Sequence, residues 1–552
     1  MKKFIYMIVA LVGLTGCIDN DLPYPVVVPH ISSITASGAE SVDINYDERT
    51  VILTFPETTD LRDIEITSVE IDQEIAVPSI EIVGRHDLSL PLRFNIRTYA
   101  DYSWKIIGVR NVQRYFTVEG QIGSSTIDPV NCRAIAMVGK NADVSDIKVT
   151  SLKLGPRGLS TYSVDYTVMR DFTHGISVDV TAFDMTETWN LFVEITDASV
   201  EITKVNPWAH EVYLTSIGTA GAENGFMYRL KGDAEWIKVD ESDITSDGGT
   251  FLAHIKGLKP ETVYEAVAVS GSDQSPVVEF MTEAAVKIPN GSFEYASKVA
   301  GASYYKFYDP DCGVADGEFM FWGSGNGEGS EGVNGSANLG IVITYVDTEV
   351  KVDGKQSVRA QTSQLAGMLA AGNLFTGQFA GLVGTSGGKV NFGRPWTSRP
   401  SALKLYCKYS TGTIDIINST PPGVTLTKSD YDRAQIKIAL GTWDYKKYGG
   451  TPESPVHINT TDASTFVDFT TDPSTVADGN LIIHHDGYYL NGGDKVAAET
   501  GEWIEYVIPL DYHSMDVQPT HIIVSCASSQ FGDYFTGCSS SKLWIDAVEL
   551  LY

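Results

Sequence analysis

The chain has 552 residues, 43% of them hydrophobic and 20% charged, with a formal net charge of −30 at pH 7. That length calls for several domains, and the hydrophobic share is that of folded protein, not of a disordered chain. The acidic excess repels phosphate backbones and argues against nucleic-acid partners; it suits an extracytoplasmic protein and Ca²⁺ binding.

Lys2 and Lys3 precede an apolar run from Phe4 to Leu14, too short to remain as a bilayer-spanning helix. The run ends LTGC, which resembles a bacterial lipobox. Residues 1–17 therefore read as a lipoprotein signal with Cys17 as the lipidated residue. The following IDND, Ile18 to Asp21, either resembles the export signal that sends such proteins to the outer face or is a polar linker. Residues 18–29 form a tether, Pro-rich from Leu22. The implied location is the outer membrane and the cell surface, with the lipid anchor as sole membrane contact. Five further cysteines, an odd number, form neither a C-x-x-C nor a Cys/His cluster, which argues against zinc.

Short alternating strand runs separated by turn residues follow, with no amphipathic helix, and predict an all-β chain of tandem sandwiches. Residues 30–119 read as an immunoglobulin-like module with Tyr102 and Trp104 in its core. Residues 120–206 read as a second one. Residues 207–284 resemble a fibronectin type III module: in GLKPETVYEAVAVSG, Leu258 seals one end of the core, Pro260 shapes the turn and Tyr264 is the corner tyrosine. The segment from Ala284 to Ile288 reads as a linker crossed by few contacts.

Residues 289–552 then suffice for one large two-sheet jelly roll with long Gly-rich loops. A helix is expected near Ser363 to Ala371. Strands are expected at Ile504 to Leu510, Ile522 to Cys526 and Lys542 to Leu551. Strict alternation in the last places Leu543, Ile545, Ala547 and Glu549 on one face and Trp544, Asp546, Val548 and Leu550 on the other. Cys526 and Cys538 flank a GDYFTG loop and either bridge its base or stay thiols.

Several stretches in this half carry a resemblance: IPNGSFE (Ile288 to Glu294), AGNLFTGQF (Ala371 to Phe379), GRPWTSRPSALKLYCKY (Gly393 to Tyr409), and a terminal set of Pro519, Ser528, Ser529, Gly532, Asp533, Phe535, Gly537, Leu543, Asp546, Glu549 and Leu550. Together they resemble the putative carbohydrate metabolism domain family of surface lipoproteins from Gram-negative glycan-degrading anaerobes. The resemblance implies a jelly roll that meets polysaccharide or oligosaccharide beside other surface glycan-uptake proteins. It also implies a structural Ca²⁺ between the first and last strands, on Glu294 and Asp546 with loop carbonyls. No organic cofactor is expected.

Sugar rings stack on flat aromatic side chains while polar neighbours bond their hydroxyls. WDYKKYGG, polar and Gly-flanked, makes Trp443 the first candidate for stacking, with Tyr445 and Tyr448. HHDGYYLNGGD adds Tyr488 and Tyr489, and Trp396 completes the set. A glycosidase needs two carboxylates at a defined separation. Glu318, Glu502, Glu505 and Asp444 are available, yet none lies in a catalytic signature, and no Ser-His-Asp or H-E-x-x-H pattern is present. Glycan binding is therefore the leading reading, glycoside hydrolysis the alternative and surface adhesion the third.

Overall fold

A computed structural model describes residues 26–197, 199–308, 320–327, 334–365, 367–384 and 386–552. Cys17, Cys312 and Glu318 lie outside the described residues. Strands dominate, and the one α-helix among the described residues is the four-residue Tyr445–Tyr448.

The first sandwich sets Ile31–Ala36, Ile64–Ile71 and Gly84–His86 against a five-stranded sheet centred on Thr50–Pro56 and Asp101–Asn111, which run parallel. Alternation sends Val51, Leu53, Phe55, Trp104 and Ile106 into its core. Tyr102 packs against that core from its rim under the Arg49 guanidinium. The second sandwich closes around Phe116, Trp189 and Leu191. The third closes around Phe226, Phe251 and Phe280. In the third, the Tyr264 hydroxyl accepts the Lys259 N–H at 3.0 Å, the corner contact expected there.

Pairing moves two boundaries towards the N-terminus. Tyr115–Val118 pairs with Val149–Lys153, so it belongs to the second sandwich, not to the first as the 119 boundary required. Glu201–Pro207 pairs with Glu211–Ile217 and belongs to the third, not to the second as the 206 boundary required. Alternation marks a strand without naming its partner, so the sequence assigned each to the module before it.

The C-terminal body packs an eleven-stranded sheet on a five-stranded one around a shared core of Leu405, Tyr409, Ile436, Leu481, Ile508, Val524 and Ile545. In the smaller sheet, Lys542–Leu551 lies between Ser357–Gln361 and Ala402–Ser410. Its alternation is not strict. Leu543 and Ile545 enter the core, and then Val548 and Leu550 do. The phase flips at Ala547, whose φ is 47°, where register against Ala402–Ser410 slips between Lys404 and Tyr406. This is a β-bulge, which re-aims every later side chain. Gly291 packs onto it: a Cβ there would lie 2.1 Å from the Val548 carbonyl oxygen. The expected helix at Ser363 to Ala371 is instead a hairpin of Ser363–Leu365 and Met368–Ala370, turned at Gly367 with φ 86°. Glycine supplies that left-handed conformation without the Cβ penalty.

The segment from Ala284 to Ile288 is not the sparsely contacted linker expected. Ile288 is buried in the C-terminal core, and the Tyr552 hydroxyl donates to the Val286 carbonyl at 2.8 Å. Beside it, buried Arg399 pairs with Glu283 at 2.8 Å and donates to the carbonyls of Pro207 (2.8 Å) and Met515 (2.6 Å). The Arg399 guanidinium also lies 4.4 Å over Trp208, whose ring is 4.7 Å from Tyr512. Lys204 and Asn206 both reach Asp516. The third sandwich is docked on the C-terminal body through a buried charge and stacked rings.

Candidate functional site

The larger sheet of the C-terminal body runs through Asn373–Val383, His521–Ala527, Ala434–Gly441, Thr475–His484 and Gly487–Leu490. Ala434, Ile436, Ile438 and Leu440 face the core, so Gln435 and Lys437 face outward, with Arg433 on the same side just before the strand. Register sets Gln435 opposite Ile482 and Ala527, Lys437 opposite Asn480 and Ser525, and Tyr489 opposite Ile482. Opposite residues share a face, so these side chains form one strip. Gln435 Nε2 donates to Asn480 Oδ1 at 2.9 Å. His484 ends the strip 5.2 Å from the Tyr489 ring, and its Nε2 has no hydrogen-bond partner. Burial holds the His484 imidazole below its usual pKa, and the charges of Arg433 and Lys495 push it the same way.

Over this strip stands the loop containing GDYFTG. Its foundation is a buried polar cluster around Asp432. One carboxylate oxygen accepts from Ser529 Oγ, Ser541 Oγ and Cys538 N, and the other from Arg433 N. Burial raises the Asp432 carboxyl, and these donors pull it back down. Ser528 and Ser529 both meet Thr362 Oγ1, at 2.7 and 2.9 Å. A Cβ on Gly537 would sit 2.7 Å from Ser529 Oγ, and one on Gly532 would sit 2.4 Å from Ala371 Cβ. Both glycines are therefore demanded by close approach.

At the crest, the turn Gly532–Tyr534 presents Asp533. This carboxylate is exposed, yet desolvation by surrounding protein is the main cause that raises its pKa, opposed by the charge of Lys437. Asp533 makes no hydrogen bond or ion pair among the described residues. Its neighbour Tyr534 packs edge-on against Phe466, ring centroids 5.4 Å apart. The constellation is an accessible acceptor, a cation, an imidazole, amides and two aromatic edges on one face. Such a set can bond hydroxyls and pack against an apolar ring face.

Most residues expected to stack on sugars do not reach this face. Trp443 is 2% exposed and packs among Ala439, Val456, Ile458 and Ile523, with Phe469 edge-on at 5.6 Å. It lies over Gly441, where a Cβ would come 2.5 Å from the indole. The missing side chain admits the ring into a satellite core, so Trp443 cannot stack on a ligand. Trp396 is 6% exposed and belongs to the main core. Tyr448 is half-buried and spends its hydroxyl on Asp472 and Ser474, each at 2.9 Å. Tyr488 turns to the core and packs edge-on against Tyr506. Tyr445 is exposed, on the short helix capped by Asp444. Tyr489 alone of the six lies on the strip.

Glu294 and Asp546 do not gather as calcium ligands. Asp546 Oδ2 accepts the N–H groups of Val352 (2.8 Å) and Asp353 (3.1 Å), and Oδ1 accepts that of Ala547 (2.8 Å). Glu294 Oε1 accepts the N–H groups of Lys355 (2.7 Å) and Gln356 (3.3 Å). Amide hydrogens surround the oxygens where a cation would need further oxygens. The pair instead tie one loop, residues 350–356, to the two ends of the body. No group of three acidic, His or Cys side chains suited to a metal occurs among the described residues. Cys526 and Cys538 are separate buried thiols. Cys526 points into the core beside Cys407, so the bridge across the loop base does not form. Glu505 accepts the Tyr406 hydroxyl and Glu502 stands in solvent near Lys408.

Lys437 and Arg433 were not singled out from the sequence; Asp533 stood only among the residues that carry the family resemblance, and His484 only within HHDGYYLNGGD, neither with a ligand role. The signal available was RAQIKIAL, where two cations and a glutamine interrupt an apolar run at strand period.

Residues 292–551 match the family model described as "Putative carbohydrate metabolism domain". The match spans the two-sheet body and includes the Asp533 loop, which makes the body a carbohydrate-related domain. No curated protein matches the chain. Solved structures similar to it include a putative glycoside hydrolase from Bacteroides thetaiotaomicron VPI-5482, at 18% identity and TM-score 0.29 over 80% of this chain and 98% of that one. Another is a putative glycoside hydrolase from Bacteroides vulgatus ATCC 8482, at 20% identity and TM-score 0.31 over 47% of this chain and 96% of that one. The polymeric Ig receptor ectodomain of a teleost fish is similar at 11% identity and TM-score 0.16, over 31% of this chain and 98% of that one.

Proposed function

We propose that this chain is a lipid-anchored cell-surface protein whose C-terminal body binds a polysaccharide or oligosaccharide, as an accessory to polysaccharide uptake alongside other surface proteins. Cys17 in LTGC supports the anchor, and the family match supports the ligand class. The observation that carries the reading is Asp533: an exposed acidic residue whose side chain makes no hydrogen bond or ion pair among the described residues, on a loop held by a buried polar cluster and within reach of the charge of Lys437. Its oxygens are left to accept ligand hydroxyls, with Tyr489, Tyr534 and Phe466 as ring-sized apolar surfaces.

One observation favours a second reading, glycoside hydrolysis. A carboxyl with a raised pKa is what a general acid needs. Against it, no second carboxylate among the described residues perturbs Asp533.

The test is calorimetry of the purified chain against a panel of oligosaccharides, with product analysis of the same mixtures. Asp533→Asn should weaken binding by roughly tenfold or more, the loss of about one charge-assisted hydrogen bond, with a melting temperature at pH 7 no lower than that of the wild-type chain. Shortened products, abolished by the same substitution, would transfer the assignment to hydrolysis. Absence of binding across the panel would end the saccharide reading.

A further inference from the structure

We propose that the ligand of the outer strip is an anionic saccharide, bearing carboxylate or sulfate groups, and that Arg433 and Lys437 are its anion-recognising pair. This rests on the saccharide-binding reading above.

The chain carries 70 acidic side chains against 40 lysines and arginines. In such a protein a cation finds an acid easily, and many do. Lys404 pairs with Glu549, Arg359 with Asp347, Lys495 with Asp486 and Arg399 with Glu283. Arg433 and Lys437 are exceptions on the one face already singled out. Neither side chain forms an ion pair or a hydrogen bond among the described residues. The Arg433 guanidinium carbon lies over Phe531, 5.2 Å from the ring centroid, a cation–π contact that leaves its N–H groups unspent.

Their spacing suits an extended chain of sugars. Four residues apart on one face of a strand, their backbones are separated by about 13 Å, longer than a single pyranose ring. Between and beside them the strip offers Gln435, Asn480, Tyr489 and His484, which are hydroxyl-bonding or ring-packing groups rather than acids. The charge of Lys437 reaches Asp533 and that of Arg433 reaches Asp430, yet neither cation is ion-paired with an acid among the described residues. Burial and the charges of Arg433 and Lys495 hold the His484 imidazole below its usual pKa, which disfavours a third cation on the strip. A neutral glycan would give neither cation an ion-pair partner. A uronate or sulfate ester would supply it in the bidentate geometry that guanidinium prefers.

The experiment uses the purified full chain and matched pairs of probes. One pair is oligogalacturonate and its methyl ester, which removes the carboxylate charge. The other is a sulfated oligosaccharide and its desulfated form, and a neutral xylo-oligosaccharide completes the set. In calorimetry the charged member of at least one pair should bind roughly tenfold more tightly than its neutral twin. Arg433→Gln and Lys437→Gln should each shrink that ratio at unchanged melting temperature, and Arg433→Lys should retain part of it. Preference confined to the first pair assigns a carboxylated glycan, confined to the second a sulfated one, and in both a general anion site. Equal affinities within both pairs, or tighter binding of the neutral forms, overturns the proposal while leaving saccharide binding intact. No binding of any probe would overturn both.

Discussion

Arg399→Met separates a docked arrangement from a flexible one. In the wild-type chain this buried guanidinium neutralises Glu283, satisfies the Pro207 and Met515 carbonyls and covers the Trp208 ring. Methionine keeps much of the volume but leaves the Glu283 carboxylate buried without its counter-charge. Removing one partner of a buried pair costs about 3–5 kcal/mol, chiefly the stranded charge. At about 1.36 kcal/mol per decade, that is roughly two to nearly four powers of ten in the docking equilibrium. Calorimetry of the wild-type chain should show the third sandwich and C-terminal body unfolding together; in the variant that transition should split. Limited proteolysis should cut the variant near 284–288 while the wild-type chain resists. Adding Glu283→Gln to Arg399→Met should restore part of the coupling, because no charge is then stranded. If Arg399→Met melts as one unit and resists cleavage like the wild-type chain, Arg399 contributes nothing to the docking; if both chains are cut at 284–288, the segment is a free linker after all.

Three further outcomes follow from the same geometry. Trp443→Ala should lower the stability of the C-terminal body by about 3–5 kcal/mol, as truncating a buried aromatic does, and leave saccharide affinity of the folded fraction unchanged; thermal melting and calorimetry check both. Chelator should leave the melting curve where it was, since both oxygens of Asp546 and Oε1 of Glu294 accept backbone N–H groups; a downward shift would return a cation to the account. Asp533 gives a pH signature. Its carboxyl is raised above the ordinary 3.8, so the folded chain binds the proton more tightly than the unfolded chain does. Its contribution to stability is therefore full below 3.8 and declines as pH rises through the raised value. The melting temperature of the wild-type chain minus that of Asp533→Asn should fall over that window; a flat or rising difference contradicts the assigned environment.

The sequence made the all-β class legible through strand period, Trp104 as a core side chain, and Tyr264 through the resemblance to a fibronectin type III corner. It failed where a long-range partner decides. Tyr115–Val118 and Glu201–Pro207 look like strands from sequence, but only pairing says which sandwich owns them. The hairpin at Ser363 to Ala370 defeats a local reading because its small residues and the glycine turn suit either state. Strict alternation fails at Ala547 because a bulge is paid for by distant contacts: the Val352 and Asp353 amides on Asp546, and Gly291 under the Val548 carbonyl.

The candidate site follows the same division. Polarity and flanking glycines pointed to Trp443 as a surface residue, yet Gly441 marks the opposite, since the absent Cβ is what lets the indole fold back onto its own sheet. The GDYFTG loop was legible as a motif, but not the direction of its carboxylate. That direction is set by Asp432, which lies next to Arg433 at the start of a different strand and anchors the loop through Ser529, Cys538 and Ser541. The same short stretch thus fixes the acid and supplies the cations: Asp432 holds the loop that carries Asp533, Arg433 opens the strip, and Lys437 meets Asp533 across it. A substitution at Asp432 would therefore disturb carboxylate and cations together, whereas Asp533, Arg433 and Lys437 can be changed one at a time. That separation makes the three exposed positions the informative ones for telling what the face recognises.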